Sequence, residues 1–404
     1  MNKTIFGVLA WFLATLFVVY AFCLNTAAAV FSETIKTSLN ISTVEASIAV
    51  GAFIIGFALM QIPAGYLLDR YNAKFVVGGG VFLLAVGNIL ISFSHTFILF
   101  SLANLLQGIG ASFAFIAAGI LISQWFPIRL FPILFGLTQT ISCVSSGIIH
   151  YVFVQVLKTH VWNDIYRGLA IFGIILLVLI LLLLKSPAKE KNISSVSLKK
   201  SLDIVCRNPQ VWLCAIAAAA SFGILLAYGG FWYMTVQHFY NVSVEDAFII
   251  SGLIFAGIGI GTPLWGWISN YFKSRIMILH ISLVLGVMVL LLGIYLPHYH
   301  VDTLAIIKVV SFLIGLLLSG SMLFYTVVSE FSSNNTRGVA LSITNTAVFL
   351  TNTIMMFVPL LFVTVISNKF FTYLWVLPFF CMISILLLYF VRETFNTTEG
   401  VSDE

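Results

Sequence analysis

The sequence predicts an all-α fold: a polytopic membrane protein with twelve transmembrane helices in two six-helix bundles. Hydrophobic residues make up 61% of the 404 residues and charged residues only 8%, which is more apolar surface than a soluble core can bury. The apolar residues form long runs separated by short polar turns, and the second half of the chain repeats a motif of the first. Together these observations indicate membrane spans and an internal duplication.

The apolar runs are long enough to cross a bilayer as helices. A helix needs about 20 apolar residues to span the roughly 30 Å hydrocarbon layer, and runs without two-residue alternation exclude barrel strands. We number the predicted spans 1 to 12 in chain order, and they cover residues 5–31, 44–68, 75–93, 97–122, 131–157, 167–184, 210–238, 246–268, 276–296, 303–329, 338–366 and 370–391.

The basic residues lie mainly on one side of these spans. With a cytoplasmic N-terminus, fourteen of the 19 Lys and Arg residues face the cytoplasm, and only Lys36, Lys158, Arg167 and Lys369 lie in outer loops. This positive-inside asymmetry predicts an inner-membrane protein with both termini cytoplasmic. The net charge of +5 therefore reflects topology, and no nucleic-acid partner is predicted.

A polar segment lies near the middle of the chain. The stretch "KSPAKEKNISSVSLKKSLDIVCRNP", residues 185–209, carries six basic and two acidic residues. We interpret it as a cytoplasmic linker between an N-terminal six-helix bundle, residues 1–184, and a C-terminal six-helix bundle, residues 210–404.

The loop after span 2 recurs after span 8. "GYLLDRYNAK", residues 65–74, and "GWISNYFKSR", residues 266–275, place a glycine, an Asp or Asn and a basic residue at the same relative positions: Gly65, Asp69 and Lys74 against Gly266, Asn270 and Arg275. A second echo relates "GLTQT" (136–140) in span 5 to "SITNT" (342–346) in span 11. Internal repeats of this kind are typical of transporters.

The first of these loops resembles the conserved loop of the major facilitator superfamily, where a Gly, an Asp and basic residues recur between spans 2 and 3. Span count, loop position and central linker extend the resemblance over the whole chain. "MQIPAGYLLDRYNAK" and "GIGTPLWGWISNYFKSR" further resemble a bacterial branch related to lysosomal dipeptide transporters. The resemblance implies a transporter that works by alternating access.

The resemblance also implies a latch that ties the two halves together on the cytoplasmic side. Gly65 lets another helix approach closely, while Asp69 can pair with basic groups of its own or a neighbouring loop. Arg70 and Lys74 either take part in the latch or only enforce topology. In the second copy, formed by Gly266, Asn270 and Arg275, Asn270 replaces the acid, so we expect that latch to be weaker.

Most candidate substrate residues lie in spans 1, 4, 7 and 10, which by the resemblance line the superfamily's cavity. Lys308 in span 10 is the one unequivocal charge inside a span, and such charges are functional by default. It can receive a substrate carboxylate, or its stem can snorkel to the interface.

Neutral polar residues give further candidates, each of which could instead form a helix-to-helix hydrogen bond. They are Asn25 in span 1, Asn104 in span 4, His150 in span 5 and, in span 7, Tyr228, Trp232 and Tyr233. The adjacent Gly229 and Gly230 predict a broken, gating helix.

Several patterns exclude other classes. "GIGIG", residues 257–261, lies inside span 8 and indicates close helix packing rather than a dinucleotide loop. The five cysteines show no metal spacing, and no group of residues suggests hydrolysis or general acid–base work. We therefore predict no enzyme, no cofactor and no metal. The predicted partners are a small-molecule substrate and the lipid bilayer, and the chain is predicted to be monomeric.

Two functions remain open. The first is secondary active or facilitative transport of a small organic solute, such as an amino acid, a dipeptide or a similar carboxylate, with export or import of a siderophore or drug as its rival. Span 4 has Asn104 where many proton-coupled relatives carry Arg, and span 5 lacks the Gly-Pro motif typical of drug–proton antiporters, which speaks against a multidrug antiporter. The second function, a membrane receptor, would need a signalling extension that the twelve residues after Arg392 do not supply.

Overall fold

The computed structural model of the chain describes residues 3–186, 197–232, 242–295, 304–365 and 374–395. These residues form helices joined by turns, with no strand among them. Eleven of the described helices are long and apolar enough to cross a membrane, and a shorter apolar helix lies at the position of span 12. The predicted all-α, polytopic fold is confirmed.

The helices match the predicted spans closely. Spans 1 to 6 are Lys3–Val30, Thr43–Arg70, Ala73–Ser92, Phe97–Trp125, Phe131–Val156 and Trp162–Leu183. Spans 8, 9, 11 and 12 are Val244–Tyr271, Ile276–Tyr295, Arg337–Val365 and Val376–Leu388. Shorter helices cover Ser32–Leu39 before span 2, Ile128–Leu130 before span 5 and Leu198–Cys206 in the linker.

Polar side chains begin several of these helices where the sequence places them. Ser42 and Glu45 form a capping box at the start of span 2, and Asn72 and Thr96 accept backbone N–H groups at the starts of spans 3 and 4. Ser243 does the same for span 8. Because the first four N–H groups of a helix have no intrahelical partner, these caps fix where each span begins.

Spans 7 and 10 depart from regular α-helix. Span 7 runs from Pro209–Ala218 through Ala219–Gly223, Ile224–Ala227 and Tyr228–Trp232, of which the second and fourth are π-helical. Span 10 consists of Leu304–Leu318, the 3₁₀ turn Ser319–Met322 and Leu323–Phe331. Side chains satisfy the carbonyls that these breaks release: Ala217 O accepts from Ser221 and Ser384, and Leu316 O accepts from Trp265. Mid-helix π and 3₁₀ segments often mark functional hinges.

The chain divides into two compact units. The first contains residues 1–127, 144–203 and 334–342, and the second contains 128–143, 204–333 and 343–404. In the first unit span 4 packs against spans 1, 2 and 3, and span 3 against span 6. In the second unit span 10 packs against spans 7, 8 and 9, and span 9 against span 12. The two units therefore repeat the same helix pairings.

Small residues bring these helices into contact. A Cβ on Gly257 or Gly261 of span 8 would overlap backbone or side-chain atoms of span 10 at Phe312, Leu316 and Ser319. The "GIGIG" stretch thus serves close helix packing, as predicted, since small residues let membrane helices approach closely.

Candidate functional site

Asp69, at the end of span 2, holds the start of span 11. Its carboxylate accepts hydrogen bonds from the backbone N–H groups of Gly338, at 2.7 Å, and Val339, at 3.0 Å. Asp69 is only 4% exposed, and both partners belong to the same compact unit as span 2. Because the N-terminus of a helix carries unpaired N–H groups and a partial positive charge, a carboxylate is well suited to this position.

Gly65 lets the two backbones meet beside this carboxylate. A Cβ on Gly65 would overlap the carbonyl oxygen of Gly338 and lie 2.7 Å from Ser342 Oγ. A Cβ on Gly338 would in turn lie 2.5 Å from Gly65 O and 2.7 Å from Asp69 Oδ1. We call the group Gly65, Asp69, Gly338 and Val339 the first contact.

The described contacts of the two basic loop residues are with residues near them in the chain. Arg70 Nη1 donates to Tyr66 Oη at 2.7 Å, and the guanidinium lies 5.9 Å and 5.8 Å from the ring centroids of Tyr66 and Tyr71. Lys74 lies in the first turn of span 3, where its backbone N–H donates to Asn72. The hydrogen bonds described for Asp69 come from a helix start, which the sequence did not indicate.

The second copy of the motif makes an analogous approach in the second unit. A Cβ on Gly266 would lie 2.9 Å from the carbonyl carbon and oxygen of Pro132, at the start of span 5. Asn270 Nδ2 donates to Arg129 O at 2.7 Å, and Asn270 Oδ1 accepts from Arg275 Nη1 at 2.8 Å. We call the group Gly266, Asn270, Pro132 and Arg129 the second contact.

Beside the second contact lies a buried ion pair that the sequence analysis missed. Arg275 Nη2 lies 2.9 Å from Glu330 Oε1 at the end of span 10, and both side chains are 1% exposed. Arg275 also donates to Ser269 at 2.7 Å and covers the Phe395 ring at 4.8 Å. Counting acids as well as bases at span ends would have included Glu330 among the candidates.

Glu393, after span 12, caps the start of span 9. Its carboxylate accepts from Ser274 Oγ at 2.6 Å and from the backbone N–H groups of Arg275 and Ile276, at 2.9 Å and 3.1 Å. Partial burial opposes the ionised form, but these hydrogen bonds outweigh it and hold the pKa of Glu393 below its ordinary value. The segment after span 12 is therefore fixed to the second unit by a charged cap.

The predicted substrate residues of the first unit occupy different environments. Asn25 and His150 are exposed. Asn104 is fully buried, as is Gln107 one turn later in span 4. These candidates therefore do not share a common environment.

In span 7, Tyr228 is buried and begins the second π-helical segment, which includes Gly229 and Gly230. The glycines predicted a broken helix, whereas the described residues continue as π-helix to Trp232, and the gating role stays a prediction. The side chain of Trp232, and all of Tyr233, lie outside the described residues.

Lys308 is engaged by an acid. Its Nζ lies 3.0 Å from Asp246 Oδ1 in the first turn of span 8, and the two side chains are 29% and 27% exposed. Asp246 also accepts from Ser243 Oγ at 2.8 Å. Lys308 is therefore paired with a carboxylate of the protein itself, and both side chains are partly exposed.

These arrangements support binding and conformational change. Among the described residues, no group of three or more His, Cys, Asp or Glu side chains is placed to hold a metal ion. What the geometry provides is two related helix contacts, a buried ion pair, and a lysine paired with an acid.

A family model of the Major Facilitator Superfamily matches residues 13–356. The chain belongs to the Major Facilitator Superfamily. This membership confirms the resemblance of the loop motif and makes the chain a multi-pass membrane protein of a superfamily of transporters, which bind small molecules within the membrane and are generally not enzymes.

Curated superfamily relatives match part of the chain. Multidrug resistance protein MdtL of Escherichia coli O81 (strain ED1a) and its counterpart in Shigella dysenteriae serotype 1 (strain Sd197) are each 26% identical over 151 residues. The match covers 37% of this chain and 39% of each relative, so the chain spans well under half the length of these relatives in the match. The narrower resemblance to dipeptide transporters stays a prediction.

Solved superfamily structures share the fold over nearly the full length. The proton:xylose symporter XylE bound to 6-bromo-6-deoxy-D-glucose has a TM-score of 0.76 at 16% identity, covering 97% of both chains. FucP in the outward conformation has a TM-score of 0.74 at 16% identity, covering 96% of this chain and 99% of that one. At this identity the likeness concerns the fold alone.

Proposed function

We propose that the protein moves a small organic solute, such as an amino acid, a dipeptide or a similar carboxylate, across a bacterial inner membrane by alternating access. It works as a monomer with both termini in the cytoplasm, as a secondary active or facilitative transporter. The observation that carries this proposal is the first contact, with its counterpart in the second repeat. Alternating access needs contacts that hold in one state and release in another.

The first contact has the properties of a releasable latch. It joins span 2 to the start of span 11 through one carboxylate and two N–H groups, and a hydrogen bond to a charged group contributes about 1.5–3 kcal/mol. Energies of this size shift a two-state equilibrium by one or two orders of magnitude. A wide apolar interface would be harder to open.

Lys308 supplies the anchor for a substrate carboxylate. Asp246 lies 3.0 Å from its ammonium group, so a carboxylate fits there, and a substrate carboxylate would displace Asp246 from this position. A cation about 4 Å from a carboxylate gains roughly 4 kcal/mol at an effective dielectric constant of 20, before desolvation is subtracted. This favours anionic or zwitterionic solutes.

Uptake into proteoliposomes tests the proposal. Purified protein is reconstituted and offered labelled amino acids, dipeptides and organic acids. Lys308→Gln should weaken the transported solute's apparent affinity by about ten- to a hundredfold, and Lys308→Arg should retain part of it. Uptake of such a solute with equal affinity in wild type and Lys308→Gln would contradict the anchor; no uptake of any of them would contradict the proposed function.

A second candidate is export of a drug. Its support is the name of the relatives described above, multidrug resistance proteins at 26% identity over 151 residues. Cells that express the chain would then accumulate less of a fluorescent drug than cells that express Asp69→Asn. Equal accumulation would speak against export.

A further inference from the structure

Near the end of span 4, the amide oxygen of the partly exposed Gln124 is buried without a hydrogen-bond partner, and two amide oxygens of fully buried side chains in the same span also have no partner among the described residues. These two are Asn104 Oδ1 and Gln107 Oε1. The residues are three apart in one helix, so their side chains emerge on neighbouring parts of the same face, with Cβ atoms roughly 5–6 Å apart. An unsatisfied buried acceptor destabilises the fold, so two on one face call for an explanation.

The surrounding hydrogen bonds fix both amides with their oxygens free. Asn88 Nδ2 donates to Tyr20 Oη at 2.6 Å and to Leu84 O at 3.0 Å, so Asn88 must turn its oxygen toward span 4. Gln107 Nε2 donates to that oxygen at 2.8 Å. Asn104 Nδ2 donates to Phe100 O at 2.9 Å. Rotating either amide by 180° would set two acceptors against each other.

The network is also directional. Gln107 donates to Asn88, Asn88 to Tyr20, and Tyr20 to Leu169 O at 2.8 Å. Every donor in this chain points away from span 4, so the free end is an acceptor. Since hydrogen bonds in a chain polarise one another, the Gln107 oxygen is a stronger acceptor than an isolated amide.

An aromatic cluster begins one helical turn before Asn104 in span 4. Phe100, one turn before Asn104, packs against Trp162 with ring centroids 6.4 Å apart and planes at 72°. Trp162 packs in turn against Tyr166 at 6.2 Å. All three are buried. Amide oxygens together with aromatic faces are the groups that replace the hydration shell of an organic cation.

We propose that Asn104 and Gln107 form a binding site for a protonated amine, the ammonium group of the transported solute. This inference rests on the proposed function and names a substrate class for it. An ammonium group has donors and no acceptors, which matches two free oxygens whose amide nitrogens are already engaged. A hydroxyl group also carries acceptor lone pairs, and the two amide nitrogens do not donate to them because they already donate elsewhere.

Thermal melting of the purified full-length protein tests the site with two probes of equal shape. Benzylamine, protonated at pH 7, is titrated beside benzyl alcohol at constant ionic strength. Benzylamine should raise the melting temperature of wild type by mass action, and benzyl alcohol should not. Asn104→Leu and Gln107→Met should each weaken benzylamine binding by about tenfold or more, the loss of one hydrogen bond to a charged group.

One further variant controls for folding. Ser112→Ala removes another buried polar group of span 4, one that donates to its own helix at Ile109 O, and should bind benzylamine as wild type does. Weaker binding by Ser112→Ala and Asn104→Leu alike would indicate damage to the helix and overturn the site.

Other outcomes separate this inference from the proposed function. Equal stabilisation by amine and alcohol, no stabilisation by the amine, or amine binding unchanged in both apolar variants would overturn the amine site, and two free oxygens would then be served by buried water. The proteoliposome assay stands apart: uptake of an amine-free carboxylate, unaffected by Gln107→Met, would keep transport and reject the amine site. Amine binding without uptake of any solute would keep the site and reject the function.

Discussion

The first and second contacts occupy equivalent places in the two repeats but use opposite hydrogen-bond chemistry. Gly65 and Gly266 correspond in the duplicated loop, and Pro132, four residues before Gly136, corresponds to Gly338, four residues before Ser342. In both, a span-2-type helix meets the start of a span-5-type helix at a glycine. Asp69 accepts from N–H groups there, whereas Asn270 donates to a carbonyl.

Proline at the second helix start explains the difference. Pro132 has no N–H group, so a carboxylate aimed at its nitrogen would find no donor there. An amide can instead donate to Arg129 O while its own oxygen accepts from Arg275. The charge of the second repeat lies deeper, in the pair of Arg275 and Glu330. The sequence predicted a weaker second latch because Asn270 lacks the charge of Asp69. The second repeat does contain a buried acid, but that acid is Glu330 at the end of span 10.

Breaking the buried pair of the second repeat should have the largest effect. Glu330→Gln leaves Arg275 buried with an uncompensated charge, which costs about 3–5 kcal/mol. We expect a large drop in melting temperature and in the yield of folded protein. Chemical denaturation of the detergent-solubilised protein measures the loss.

The matched control exchanges the pair for one without charge. Glu330→Met combined with Arg275→Met should be less destabilising than Glu330→Gln alone, because apolar side chains of similar volume can replace a buried ion pair at little cost. A single mutant as stable as wild type would show that the pair contributes nothing.

Exchanging the polar residues of the two contacts should have an intermediate effect. Asp69→Asn removes the charge that the span 11 N–H groups bind, a loss of about 1–3 kcal/mol, and should shift the population roughly tenfold or more toward the state in which the contact is open. Transport should fall while the protein still inserts. Labelling of single cysteines from each side of the membrane measures the shift.

The reciprocal change tests whether each contact needs its own chemistry. Asn270→Asp would turn a carboxylate oxygen toward Arg129 O, so it should weaken the second contact even though it restores the acid of the motif. If Asn270→Asp instead stabilised the protein, the ion pairing with Arg275 would outweigh the lost donor, and our account of Pro132 would be wrong.

Adding one methyl group at each glycine should have a smaller and unequal effect. A Cβ on Gly65 overlaps the Gly338 carbonyl and lies 2.7 Å from its carbon, whereas a Cβ on Gly266 has its nearest atoms at 2.9 Å. Overpacking costs about 1–3 kcal/mol, so Gly65→Ala should lie at the upper end and Gly266→Ala at the lower. Melting temperatures compare them, with Gly51→Ala as a control because its Cβ meets nothing within 4 Å. Equal losses would remove the geometric distinction.

The sequence predicted the spans well because length and apolarity alone define them. Span 6 begins five residues earlier than predicted, at Trp162. The polar residues Asp164 and Arg167 suggested a loop, whereas in the structure they pair on the surface of the helix. The contact glycines were also readable, because their motif is duplicated.

The partners of the motif were not readable from sequence. Asp69 binds backbone N–H groups, and every helix start carries such groups. The residue types at 338 and 339 therefore do not identify Gly338 and Val339 as its partners. Arg275 meets Glu330 and Glu393 across 55 and 118 residues of chain, and Lys308 meets Asp246 across helices. Such pairings follow from which helices are neighbours, which composition and spacing do not reveal.

The smallest expected effect is a pH dependence in the second unit. Partial burial raises the pKa of Glu393, but hydrogen bonds from Ser274 and three backbone N–H groups outweigh it and keep that pKa below its ordinary value. A carboxyl group with a lowered folded-state pKa contributes its stabilisation fully above the unfolded-state value, about 4.3 for glutamate, and loses it as the pH falls through the folded value. The difference in melting temperature between wild type and Glu393→Gln should therefore be present at pH 7 and shrink below about pH 4.3. Because Glu393 is partly exposed, solvent screening limits the effect.

Asn270 provides the control, because its side chain does not titrate. Asn270→Ala should therefore lose the same stability at pH 7 as below about pH 4.3. A Glu393→Gln difference that persists unchanged at low pH would mean that the side chain acts by shape, and the charged cap on span 9 would be rejected.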